Sequence, residues 1–128
     1  MRKQNTLVFD DFVYATAADL VWTDAKYNDL LGRFDQTSIF AVADSVSGTN
    51  PTLFVQIEQS GDGRNWKAKN SSPEINGTAI TANATTPVQG NDAGSAPSAS
   101  FVRLTVYLGG TGTPTAHIKI YVCNRDQA

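Results

Sequence analysis

Residues 101–123 read FVRLTVYLGGTGTPTAHIKIYVC, and the alternation in this stretch decides the fold class. Val102, Leu104, Val106 and Leu108 alternate with Phe101, Arg103, Thr105 and Tyr107. After the Gly/Thr/Pro-rich segment 109–115, Ile118, Ile120 and Val122 alternate with His117, Lys119 and Tyr121. A period of two places each set on its own face of a strand, as a half-buried sheet requires. Read locally, the stretch predicts a β-hairpin in which Leu108 faces Ala116. Val106 then faces Ile118, Leu104 faces Ile120, and Val102 faces Val122 on the inner side. The outer side would pair Tyr107 with His117, Thr105 with Lys119, and Arg103 with Tyr121.

A second ribbon lies upstream, in LFVQIEQSGDGRNW at 53–66. Leu53, Val55 and Ile57 alternate with Phe54, Gln56 and Glu58. Ser60 to Asn65 then supplies the glycines and short polar side chains of a tight loop. Trp66 is expected to open the return strand and anchor it in the core, beside Val102, Leu104, Val106, Ile118, Ile120 and Val122. Thr37 to Ala43 is another β-type run, closed by the turn-forming 47–51. Segment 1–15 reads as a first strand or extended arm around Asp10 and Asp11. A short strand is expected near Leu20 to Trp22, with at most a helical turn before Gly32. Segment 76–100 has one charge, no aromatic residue and many small side chains, so it reads as a long loop, with Ile80 and Val88 marking short strands. Together these features predict one all-β domain over residues 1–128, an antiparallel β-sandwich or jelly roll.

The 128 residues carry ten basic and twelve acidic side chains, a net charge of -2. Bulk electrostatic capture of nucleic acid is disfavoured by that balance. No apolar run reaches the roughly 20 residues of a membrane-spanning helix. Met1-Arg2-Lys3 resembles the start of a signal peptide, but Asp10 and Asp11 break the apolar stretch that follows. Cys123 is the single cysteine and His117 the single histidine, which leaves no zinc-ligand spacing and no nucleophile–base pair. Asp62 and the Asp10-Asp11 pair lack the spacing of a calcium loop. Neither a catalytic residue, a metal nor a cofactor is expected. The outer set Phe101, Arg103, Tyr107, His117, Lys119 and Tyr121 mixes cations with aromatics, which suits a subunit interface or a glycan-contact face.

Three motifs carry a family likeness. "VQIExS" at 55–60, "DGxxW" at 62–66 and "FVRLxV" at 101–106 together make the chain resemble small β-sandwich proteins of tailed-bacteriophage virions. The likeness spans about residues 37–125. It implies a head decoration, cement or minor structural protein, located in the virion. Such a protein would form a homo-oligomer and attach to a larger capsid or tail assembly. A weaker likeness connects "SxDGxxW" at 60–66 and the Phe101-Val102-Arg103-Leu104 run to discoidin-like carbohydrate-binding modules, which carry Tyr where this chain has Phe101. That likeness implies glycan binding through Tyr107, Tyr121, Trp22 or Trp66, with Arg103. A small self-assembling coat protein is a further alternative.

Overall fold

A computed structural model describes residues 3–14, 21–22, 36–81, 85–89 and 101–125. The strands are β1 (Lys3–Tyr14), β2 (Val21–Trp22), β3 (Gln36–Ser60), β4 (Lys67–Ala68), β5 (Ile75–Ala79), β6 (Thr86–Gln89) and β7 (Phe101–Arg125). The described residues are all-β, and they form one antiparallel sheet that is not closed into a barrel. The helical turn expected before Gly32, the Trp22 side chain and positions 90–100 lie outside the described residues.

Two strands of 25 residues each, β3 and β7, form the spine of the sheet. They pair antiparallel from Gln36↔Arg125 to Ser60↔Phe101. β1 pairs with the C-terminal half of β7, from Lys3↔Arg125 to Tyr14↔Thr115. β2 pairs with its N-terminal half at Val21↔Val106 and Trp22↔Thr105. The other edge of β3 receives β6 at Phe40–Ala43, β5 at Thr52–Val55, and β4 at Glu58–Gln59.

This topology corrects the expected hairpin. The two halves of 101–125 do not pair with each other; each pairs with β3 instead. Val106 faces Val55, Leu104 faces Ile57, Ile118 faces Ala43, and Ile120 faces Ala41. Alternation selects which face of a strand is buried but not which strand lies beside it. Pairing with β3 leaves β7 free to take β1 and β2 along its other edge, so its backbone is paired on both sides at Thr115–Arg125 and at Thr105–Val106. Among the described residues of segment 76–100, β6 contains Val88 and β5 ends just before Ile80, and both of these side chains are buried.

The Gly/Thr/Pro segment is a kink rather than a hairpin turn. Pairing shifts between Asp44 and Ser47, Ser47 and Thr49, and Thr49 and Thr52. Positive φ angles gather here, at Ser45, Gly48 and Asn50 on β3 and at Gly110, Gly112 and Thr113 on β7. The stretch from Asp44 to Thr52 is as long as that from Gly109 to His117, so the extra residues on the two strands cancel. The same alternate positions therefore point inward on both sides of the kink. Ile39, Ala41, Ala43, Leu53 and Val55 on β3, with Leu104, Val106, Ala116, Ile118, Ile120 and Val122 on β7, are completely inaccessible. Val102 and Ile57 are nearly so. Each large aliphatic side chain in this set contributes about 1.5–3 kcal/mol by leaving water.

Two polar devices close the sheet's gaps. Between β4 and β5 the backbone N–H of Ile57 faces no strand. It donates instead to Glu74 Oε2 at 2.6 Å, while Asn70 Nδ2 donates to Glu74 Oε1 at 2.7 Å. Glu74 is buried, and its carboxylate acts as a short substitute for strand pairing. In the loop after β3, Asp62 Oδ1 accepts the backbone N–H groups of Arg64 and Asn65, each at 2.8 Å. Those bonds, first of all the one from Asn65, hold the Asp62 carboxyl well below the usual carboxylate range.

Two substitutions test this construction by urea unfolding. Glu74→Ala strands a buried N–H and should destabilise the fold by about 1–3 kcal/mol. At Gly48, φ is +103° and a Cβ would sit 2.7 Å from Pro114 Cα. Gly48→Ala should likewise cost about 1–3 kcal/mol, and no loss there would mean that the kink is not rigid.

Candidate functional site

The six side chains expected on one outer face do project from the same side of β7, but the kink divides them. Phe101, Arg103 and Tyr107 lie over the N-terminal half, and His117, Lys119 and Tyr121 over the C-terminal half.

On the first half, β3 brings Glu58 opposite Arg103 and Phe54 opposite Tyr107. Arg103 Nε donates to Glu58 Oε1 at 3.0 Å, and its guanidinium lies 4.0 Å from the centre of the Trp66 ring. Trp66 is half-buried on this outer surface rather than anchored in the core, which corrects its expected role. It precedes a β4 of only two residues on the sheet's margin, so its ring packs under Arg103 instead of between strands. Phe54 and Tyr107 stack with centroids 4.6 Å apart and planes 3° apart. Gly77 and Gly109 make room for the Phe54 ring, since a Cβ on either would approach it to 3.0–3.1 Å. Phe101, 39% exposed, lies near Gly63 in the loop.

The second half has a different character. His117 is held between strands on both sides: Nε2 meets Asp10 Oδ1 of β1 at 2.5 Å, and Nδ1 meets Asp44 Oδ1 of β3 at 3.0 Å. The Phe12 ring lies 5.2 Å from the imidazole. The hydrogen bond to Asp10, reinforced by Asp44, raises the histidine above its ordinary 6.5 against a smaller opposing effect of burial. Protonated His117 then donates to a carboxylate on each side and ties three strands together. Because both ring nitrogens are engaged, the group is arranged as a clamp rather than as a general base.

Around the clamp the surface is apolar. Asn5, Phe40, Val42, Tyr121 and Cys123 line an open depression of about 500 Å³. Burial pushes the Cys123 thiol up, with a bond to Ser38 partly offsetting it. Leu7, Phe12 and Tyr14 on β1 are 37%, 45% and 56% exposed. Sequence reasoning had not placed Phe40, Val42 and Asp44 beside Tyr121, Lys119 and His117. Their own alternation in 38–44 was the available signal, but only the β3–β7 register joins the two sets.

No protein-family model matches the chain, and no curated protein matches it either. Among solved structures, a chain of the infectious bursal disease virus Gx strain structure aligns with a TM-score of 0.46 at 11% identity. The alignment covers 98% of this chain and 30% of that one, so this chain spans under a third of its neighbour's length. A likeness of that depth assigns no function.

The clamp predicts a pH dependence. The folded histidine titrates above 6.5, so its stabilising contribution is complete below the unfolded value and is lost as pH rises through the folded one. Urea unfolding should show lower stability at about pH 9 than at about pH 6, with the difference abolished in His117→Gln. An NMR titration placing His117 at or below its unfolded value would contradict the clamp.

Proposed function

We propose that this chain is a non-enzymatic structural protein of a viral particle, a β-sandwich that oligomerises and joins a larger protein shell as a decoration, cement or minor capsid or tail component. Burial supports the sandwich reading. Both halves of the β3–β7 ribbon hide the same alternate positions completely, and the described residues include no helix to cover them. Folding the ribbon at its kink, so that one half's inner face meets the other's, supplies the missing layer.

The outward apolar surface is the observation that carries the functional reading. Leu7, Phe12 and Tyr14 stand exposed beside Phe40, Val42 and Tyr121, while His117, Glu74, Asp62 and Arg103 are engaged in bonds that hold strands and loops. Such a surface, with His117, Asp10 and Asp44 bonded to one another, suits burial against protein. The "VQIExS", "DGxxW" and "FVRLxV" motifs point to the same class, the virion proteins of tailed bacteriophages. The glycan alternative receives less support: Trp66 has Arg103 over its ring, and Tyr107 is stacked on Phe54, so those ring faces are already occupied.

Cross-linking mass spectrometry and electron microscopy of native particles test the proposal. Copies of this chain should occupy repeated positions with cross-links to a shell protein. A chain absent from purified particles would refute the proposal.

A further inference from the structure

The outer face of the sheet's C-terminal half carries a pattern that specifies a partner. Phe40, Val42 and Tyr121 form its centre, with Leu7, Phe12 and Tyr14 along the β1 side and Pro87 on β6. Two charged features interrupt this apolar surface. One is the acidic clamp, in which one imidazolium serves two carboxylates, Asp10 and Asp44. The other is Lys119, which has no side-chain partner among the described residues. Asp10 lies directly opposite Lys119 in the ladder yet turns its carboxylate to His117. Among the described side chains of this face, protonated His117 and Lys119 balance Asp10 and Asp44, and the charge alternates along the strand, with a positive pole one alternate position from a negative one.

We infer that this face is the contact between two copies of the chain, packed about a twofold axis so that Lys119 of each copy meets the Asp10–Asp44 clamp of the other. This rests on the oligomeric role proposed above and assigns it to one surface. A twofold contact is self-complementary: whatever residue i offers to j, j offers to i. A face with one half-buried, unpartnered cation beside one net-negative cluster meets that requirement by itself, whereas a partner of a single strong charge would leave one pole unmatched. The area also fits. From strand spacing and rise, the face spans on the order of 500 Å² in projection. Side-chain relief raises its accessible area toward the roughly 800 Å² per partner of a stable interface. Tyr121, at the centre of the patch, is one of the residue types (Trp, Tyr and Arg) enriched among those that dominate binding at such positions.

Sedimentation equilibrium on the full chain tests the assignment, with circular dichroism verifying that each variant folds. Tyr121→Arg places a charge in the centre of the patch, and Lys119→Glu reverses the free cation at a position that does not support the core. Each should weaken self-association by about tenfold or more. Phe101→Arg, on the other half of the sheet, should leave association unchanged. If the wild type associates and neither Tyr121→Arg nor Lys119→Glu weakens it, the contact is elsewhere. The inference then fails while the structural role survives. Loss of association in Phe101→Arg alone overturns it in the same way. A wild-type chain that stays monomeric in solution overturns the twofold contact outright, and its presence or absence in native particles then decides the structural role separately.

Discussion

The phase relation between β3 and β7 is the constraint on which the remaining structure depends. Both strands break their regular pairing around Gly48 and Gly110, and both regain it with the same alternate residues facing inward. A single unbalanced residue in either kink would turn Ile118, Ile120 and Val122 outward and bring His117, Lys119 and Tyr121 into the core. The cost of that exchange is the desolvation of charged groups together with the exposure of several large aliphatic side chains. Equal kink lengths on the two strands avoid it. Positive φ at six positions is the local means, and only three of those positions are glycine.

Three polar groups near this scaffold have structural partners that explain their presence. Glu74 completes a strand edge where β4 has ended and β5 has not begun. Asp62 collects backbone donors from the loop that follows β3. His117 binds β1 to the spine through one carboxylate on each neighbouring strand. The last of these matters most, because β1 is an edge strand among the described residues and carries Leu7, Phe12 and Tyr14 in exposed positions. An edge with that composition needs lateral fastening to remain in register, and it offers apolar surface to a neighbouring molecule. The same groups that fasten it give the outer face its charge pattern, so stability and recognition share residues.

Much of this was legible in the sequence. The inner set Val102, Leu104, Val106, Ile118, Ile120 and Val122 follows from alternation alone, because a period of two admits one buried face. The loop at 60–65 follows from its glycines and short polar side chains. Trp66 shows the limit of such reasoning. A large aromatic after a turn suits a core anchor, yet the strand that follows it is two residues long and its ring lies against Arg103 on the outer surface.

Sequence by itself determined the buried aliphatic set of 102–122, that the described residues are all-β, and that Phe101, Arg103, Tyr107, His117, Lys119 and Tyr121 share a side of their strand. Those properties depend on neighbours one or two positions away, where backbone geometry fixes direction. Only the tertiary structure decided that residues 101–125 form one kinked strand beside β3 rather than a hairpin, and thereby separated Arg103 from Tyr121. It also decided that Asp10 and Asp44 meet at His117. Partner choice between strands depends on pairings across the whole length of the chain, and alternation is equally compatible with several of them.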